Sequence, residues 1–311
     1  MWCFHAEPFV LPLPAGHRFP VGKGAMLCRA VRAQVPGAVL EVALAATDGE
    51  LALVHTPSYV HAVGEGLLST AQQRAIGFPW SPQMVERSRR SVGATVAAAR
   101  RALDEGVAAN LAGGTHHAHA DHGAGFCVFN DVAVAARLMQ AEWHRTRRAL
   151  LRVLVIDLDV HQGDGTACIF GDDPSVFTLS LHGQRNFPAC KQRSDLDLAL
   201  PDGCGDAEYL AVLSSALDAV DRAHLQAPPG LAFYLAGADP HVGDRLGRLA
   251  LTEDGLARRD KFVLDWLAER RIPVALSMAG GYGQDLAVTV AIQRRTVEIA
   301  LAAWQHWRMK Q

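Results

Sequence analysis

The chain has no apolar run that reaches the roughly 18 residues a bilayer-crossing helix needs. No early stretch joins a basic segment to an apolar one, so no secretory leader is expected and the cytoplasm is the expected location. The six cysteines, Cys3, Cys28, Cys127, Cys168, Cys190 and Cys204, contain no Cys-x-x-Cys pair and read as free thiols in a reducing compartment. There is no internal repeat and no low-complexity segment. Charge of neither sign dominates: 30 Lys and Arg face 32 Asp and Glu, a net −2. That balance leaves no general basic surface, so neither nucleic acid nor a membrane is an expected partner, although a local basic patch stays open.

What is present is a chain of 311 residues, half of them hydrophobic, in which strands and helices alternate. A strand at a sheet edge, a Pro- and Gly-rich loop and a helix over 22–34 are expected first. Thr56 to Pro82 reads as loop and short helix lying over the surface. A long helix over 83–108 carries Val85, Val92, Val96, Ala99 and Leu103 on one face, with Arg87, Arg89 and Arg90 as a solvated stripe. A helix capped by Asn130 or Asp131 runs to about Arg148. Strands follow at Leu151–Leu158 and Val176–Leu181, then a loop over 183–205 and a helix over 206–225 capped by Asp206. Strand Leu231–Ala236, helix Thr252–Arg270, strand Pro273–Met278 and a helix over 285–308 complete the pattern. The expectation is one α/β domain over residues 1–311: a doubly wound, mostly parallel sheet with helices on both faces.

The polar residues that stand out follow strands. Asp157, Asp159 and His161 end the apolar run Val153–Ile156; His182, Asp239 and Gly280-Gly-Tyr282 follow later strands. In an open parallel sheet, ligands bind at the carboxyl ends of strands, so these residues should converge on one rim. Adjacent histidines, His116 and His117, sit in Gly113-Gly-Thr-His-His-Ala118 ahead of Gly123-Ala-Gly-Phe-Cys127. Two carboxylates and an imidazole with one open position suit a divalent ion such as zinc. In extended backbone Asp159 and His161 face the same side, while Val160 turns inward. Asp239 would complete the set from a neighbouring strand.

Together with Gly125-Phe-Cys127, Asn130-Asp131, Asp157-Leu-Asp-Val-His-Gln-Gly-Asp-Gly165 and Ala236-Gly-Ala-Asp-Pro240, these motifs resemble the zinc-dependent histone deacetylase family. That family includes acetylpolyamine amidohydrolases and acetoin-utilisation proteins. Phe78-Pro-Trp-Ser-Pro82, Arg87-Ser-Arg89 and Asp195-Leu-Asp-Leu198 are most similar to its small, class IV-like bacterial branch.

The resemblance implies an arginase/deacetylase fold and hydrolysis of an Nε-acyl-lysine in proteins or peptides, or of a small acylated amine such as an acetylpolyamine. By motif position, Asp159, His161 and Asp239 would bind one Zn2+. His117 would be the proton-transferring base, His116 its electrostatic partner, and Tyr282 the donor to the scissile carbonyl. Asp157 would orient His116, and Asp164 would orient His117. A structural K+ or Na+ would lie against Asp157, the carbonyls of Asp159 and His161, Ser180, and Leu181 or His182. Gly125, Phe126 and Phe187 would wall the substrate channel. No aspartate matches the rim residue that grips the substrate backbone in many relatives, and His119, Asp121 and His122 have no assigned role. A non-catalytic binding protein would be expected to have lost a ligand or the tyrosine, and all are present. A two-manganese ureohydrolase would need further carboxylates.

Overall fold

The computed structural model describes residues 1–224 and 226–309. Eight strands form a single sheet, every pairing in it parallel. In chain order the elements are β1 (Trp2–His5), α1 (Lys23–Gln34), β2 (Val39–Val42), α2 (Asp48–Leu51), α3 (Pro57–Glu65), α4 (Thr70–Ile76), α5 (Pro82–Glu105) and β3 (Val107–Asn110). After them come α6 (Asp131–Arg147), β4 (Val153–Asp157), α7 (Asp164–Phe170), β5 (Val176–Gly183) and β6 (Leu196–Leu200). The chain closes with α8 (Asp206–Ala223), β7 (Leu231–Leu235), α9 (Glu253–Glu269), β8 (Val274–Ser277) and α10 (Leu286–Met309). Across the sheet the order is β2-β1-β3-β8-β7-β4-β5-β6.

Side chains of the six inner strands alternate between two cores, as a strand's two-residue period requires. Leu154 and Ile156 of β4 pack with α1, α8, α9 and α10, whereas Val153 and Val155 pack with α3, α5 and α6. Both faces of the sheet are therefore covered, which suits the nearly continuous apolar run of β4.

Several sequence expectations need correction. The first strand is not at an edge: β1 lies between β2 and β3, and the exposed β2 takes the edge instead. The long helix stops at Glu105, because Gly106, at a φ of 89° open to glycine, caps it on the Ala102 carbonyl and turns Val107 into β3. The loop expected over 183–205 contains β6, whose leucines alternate with the exposed Asp197 and Ala199, as fits an edge strand half exposed to water. Asp206 does not cap α8; its carboxylate instead accepts from the main-chain N–H and the hydroxyl of Thr252. The expected end of that helix, at 225, lies outside the described residues, as do 310 and 311 of the expected domain. Nor are Arg87, Arg89 and Arg90 a solvated stripe. Each is partly buried and donates to a main-chain oxygen, of Phe9, Ala46 and Ala43 respectively.

Candidate active site

Between β3 and β4 the chain skips two sheet positions, which β8 and β7 later fill. The strand order thus reverses at the centre of the sheet, where an open α/β fold leaves a crevice for ligands. The four central strands β3, β8, β7 and β4 each release a loop there. Those loops carry His116 and His117, Gly280 to Tyr282, Asp239, and Asp159 with His161.

Pairing of β4 with β7 sets Asp157 opposite Leu235, so the two following loops leave side by side. His161 Nδ1 lies 2.9 Å from Asp159 Oδ1 and 3.3 Å from Asp239 Oδ2. One ligand atom from each of the three residues falls within 4.8 Å of the others, and all three residues are buried. Val160, between two of them, turns into the core. Main-chain donors fix the carboxylates: Val160 N–H to Asp239 Oδ1, His161 N–H to Asp159 Oδ1, and Gly280 N–H to Asp159 Oδ2 at 2.8 Å. A side chain at Gly280 would collide with both carboxylates, so the approach of its N–H requires glycine.

Asp239 Oδ2 remains buried without a hydrogen bond. Burial, then the charge of Asp159, raises the Asp239 carboxyl to about 7. Burial opposes charging His161, but its bond to Asp159 and the closeness of both carboxylates prevail and raise it to about 10. Two buried carboxylates with one oxygen unpartnered are a place where a shared cation could sit. This O2N donor set fits a divalent ion of the zinc type.

The two histidines sit on a loop pinned by the start of α6. Asp131 accepts from the N–H groups of Gly114 and Thr115 and from the hydroxyls of Thr95 and Thr115. Asn130 caps α6 on Ala133 and donates to the Ala118 carbonyl. His116 Nδ1 is 2.7 Å from Asp157 Oδ2, and His117 Nδ1 is 2.6 Å from Asp164 Oδ1. An ionised carboxylate only accepts, so each ring carries its proton on Nδ1 and turns Nε2 the other way. Burial works against protonating His116, but the carboxylates of Asp157 and Asp159 prevail and raise it to about 9. Burial and the neighbouring His116 charge lower His117 to about 4.

These groups form the floor of a cavity of about 480 Å3, which also reaches Leu11, Ser91 and Leu111. Phe126 stacks on Phe78 at 5.5 Å, touches Phe19, and stands 5.8 Å from the Tyr282 ring. Its backbone is in the left-handed region, φ 67°, an uncommon choice for an aromatic residue. Opposite it, Phe187 meets the His117 ring edge to face at 4.8 Å and is 46% exposed. Gly125 lies between, where a Cβ would come within 2.6 Å of the His117 ring and 3.2 Å of Phe187. Tyr282 is held by its main chain, N–H to Asp244 Oδ2 at 2.6 Å and carbonyl to Arg245 Nε at 2.9 Å. Its hydroxyl has no hydrogen-bond partner among the described residues, and burial, then the nearby carboxylates, keeps it a phenol.

Of the residues expected to meet a monovalent cation, Asp157 and Ser180 are register partners across β4 and β5. Their side chains are already engaged, Asp157 by His116 and the Asp159 N–H, Ser180 by His182 Nδ1 at 2.9 Å. Sequence reasoning missed three supports. Arg259 of α9, fully buried, donates to the carbonyls of Leu158 and Gly237 just before the metal-type carboxylates. Asp244 holds Tyr282, and His119 Nε2 lies 3.4 Å from the second oxygen of Asp164. A charged residue in the middle of a helix, as Arg259 is, reads as solvent-facing until the fold buries it.

A model of the histone deacetylase domain matches residues 23–296. An uncharacterised protein of Picosynechococcus sp. is 46% identical over 293 residues, spanning 91% of this chain and 92% of that one. Histone deacetylase 2 of Arabidopsis thaliana is 30% identical over 257 residues, 80% of this chain and 64% of its own length. A solved structure of an HDAC homolog from Aquifex aeolicus aligns over 96% of this chain and 83% of that one, with TM-score 0.79 and 25% identity.

Proposed function

The chain belongs to the histone deacetylase family, and from that premise we propose that it is a zinc-dependent hydrolase of the Nε-acyl-lysine amide, removing acetyl or longer acyl groups. One observation carries this reading. Asp159, His161 and Asp239 converge around an unpartnered carboxylate oxygen, below an aromatic-walled channel and beside an imidazole whose Nε2 is uncommitted.

Asp159, His161 and Asp239 would hold the ion, which supplies Lewis acidity toward a carbonyl oxygen and toward water. His117, with Nδ1–H committed to Asp164, offers Nε2 to take a proton from the attacking water and return it to the lysine amine that leaves. His116 stays the charged neighbour, fixed by Asp157, and adds positive potential where negative charge develops. The Tyr282 hydroxyl donates to the carbonyl oxygen as that charge forms. Phe126 and Phe187 flank the lysine stem, whose four carbons suit an apolar slot once acylation removes the charge. The extension toward Leu11 and Leu111 gives the acyl group room beyond the scissile bond. A K+ or Na+ at Asp157, Asp159, His161, Ser180 and Leu181 belongs to the same proposal, but the hydrolytic chemistry does not rest on it.

The test is metal analysis of the purified protein together with a panel of peptides acylated on lysine, acetyl through myristoyl. A bound divalent ion and hydrolysis of at least one peptide are expected. A protein that takes up no divalent ion and cleaves no member of the panel would overturn the proposal.

A further inference from the structure

We propose that the channel mouth selects acyl-lysines lying in acidic segments, and that a ring of arginines grips the flanking Asp and Glu side chains. This rests on the acyl-lysine reading above: the floor of the channel defines the reaction, and the ring chooses among lysines.

Arg18 and Arg74 share a surface recess with Phe78 and Phe126, while Arg185, two residues from Phe187, meets Arg248 at Asp202. All four line the cavity and are exposed. Arg245, also exposed, has Nε on the Tyr282 carbonyl and Nη2 3.4 Å from the Arg18 carbonyl. Carboxylates are scarce around them. Among the described residues that line the cavity the only one is Asp159, at its floor. Among the described residues Asp202 alone pairs with the ring, 3.2 Å from Arg248 and 3.8 Å from Arg185. Arg18, Arg74 and Arg245 have no carboxylate within 4.0 Å among the described residues. Positive charge is therefore concentrated at this one opening, on a chain whose net charge is −2.

The chemistry of that ring is selective. Guanidinium groups present paired donors that match a carboxylate in two-point fashion. Gathered at the mouth of a low-dielectric channel they raise the local concentration of anions and repel cations. An acyl-lysine with acidic neighbours is attracted; a polyamine, cationic along its length, is repelled.

The experiment measures kcat/KM of the zinc-loaded protein on peptides that share one acyl-lysine and differ only in acidic, neutral or basic flanks. At about 0.01 M ionic strength, where the screening length is roughly 30 Å, acidic flanks should be favoured over neutral ones. The margin should be about tenfold, the sum of a few partly exposed charge pairs. It should shrink toward unity at about 1 M salt, where screening falls to roughly 3 Å. The double variants R18E/R74E and R185E/R248E should each shrink or reverse it, with melting temperatures showing an intact fold. Equal rates across all flanks at low salt, or a margin that both variants leave untouched, would overturn the inference and leave acyl-lysine hydrolysis standing. So would a ring that gives no flank preference but binds a single-stranded oligonucleotide until the arginines are reversed. Cleavage of acetylated spermidine with no peptide cleaved would overturn the underlying reading instead.

Discussion

Arg259 donates from Nη1 to the main-chain oxygen of Gly237 at 2.7 Å, two residues before Asp239. The same nitrogen reaches the Leu158 carbonyl, the residue before Asp159, and Nε bonds Asp260, which also accepts from Tyr234 and Thr296. One buried guanidinium thus ties together the two loops that carry the metal-type carboxylates. Arg259→Met should destabilise the protein by about 3–5 kcal/mol, because Asp260 is left charged and unpaired in the core. The pair Arg259→Met with Asp260→Leu should recover part of that stability, since no buried charge remains. Zinc affinity, measured by competition with a chromophoric chelator, should stay weakened in both, because neither restores the tie to Leu158 and Gly237. Native affinity in the double variant would contradict this positioning role.

Loss of the imidazole proposed to transfer the proton and loss of the phenol should be separable from folding. His117→Ala is expected to lower kcat by about 10²–10⁴. Tyr282→Phe should lower it by about 10²–10³, the usual loss for one donor to a developing oxyanion. The Tyr282 hydroxyl bonds no described residue, so Tyr282→Phe should melt within about 1 kcal/mol of the parent. Steady-state rates beside thermal unfolding check both expectations.

A cation between Asp159 and Asp239 relieves two crowded carboxylates, so binding should be visible without any substrate. Zinc at one hundred times its dissociation constant should add about 2.7 kcal/mol of stability, seen as a higher unfolding temperature than in the chelated protein. Asp239→Asn should blunt that response and bind zinc weakly. An unfolding temperature indifferent to zinc and to chelator would contradict the assignment of these three ligands.

Acid should weaken the fold through His55. This side chain is 1% exposed; Nδ1 meets the His119 carbonyl and Nε2 accepts the Asn130 N–H. Burial lowers it from 6.5 to about 4 against the pull of the His119 and Ala120 main chain. Since its folded pKa lies below the unfolded one, the unfolded chain binds the extra proton. The stabilising contribution is thus whole above pH 6.5 and is lost as pH falls through 4. The total is about 3 kcal/mol at most. Urea unfolding at pH 7.5, 6 and 5 should show the parent losing stability faster than His55→Gln, and parallel losses would remove the assignment.

The sequence made the site more legible than the sheet that bears it. Asp157 to Gly165 is readable because a polar cluster directly behind an apolar run marks the end of a buried strand. β3 was hidden because Val107-Ala-Ala-Asn110 has a single branched residue and no aromatic one and adjoins an Ala-rich helix, so only Gly106 marks the boundary. β2 and β6 bury too little for an apolar signal, lying at the two edges. The ring of arginines draws on four separate segments, and no spacing along the chain announces it. The same holds for Arg259, which adjoins Arg258 on a helix and is separated from it only by which face turns inward.

The residues of the candidate site hang from β3, β8, β7 and β4, the middle four of eight strands, with two further strands shielding each flank. Amide protons of these central strands should be among the last to exchange into deuterium, while β2 and β6 fray first. Local breathing at either border would therefore leave the cradle of carboxylates undisturbed, and only near-global opening would take it apart.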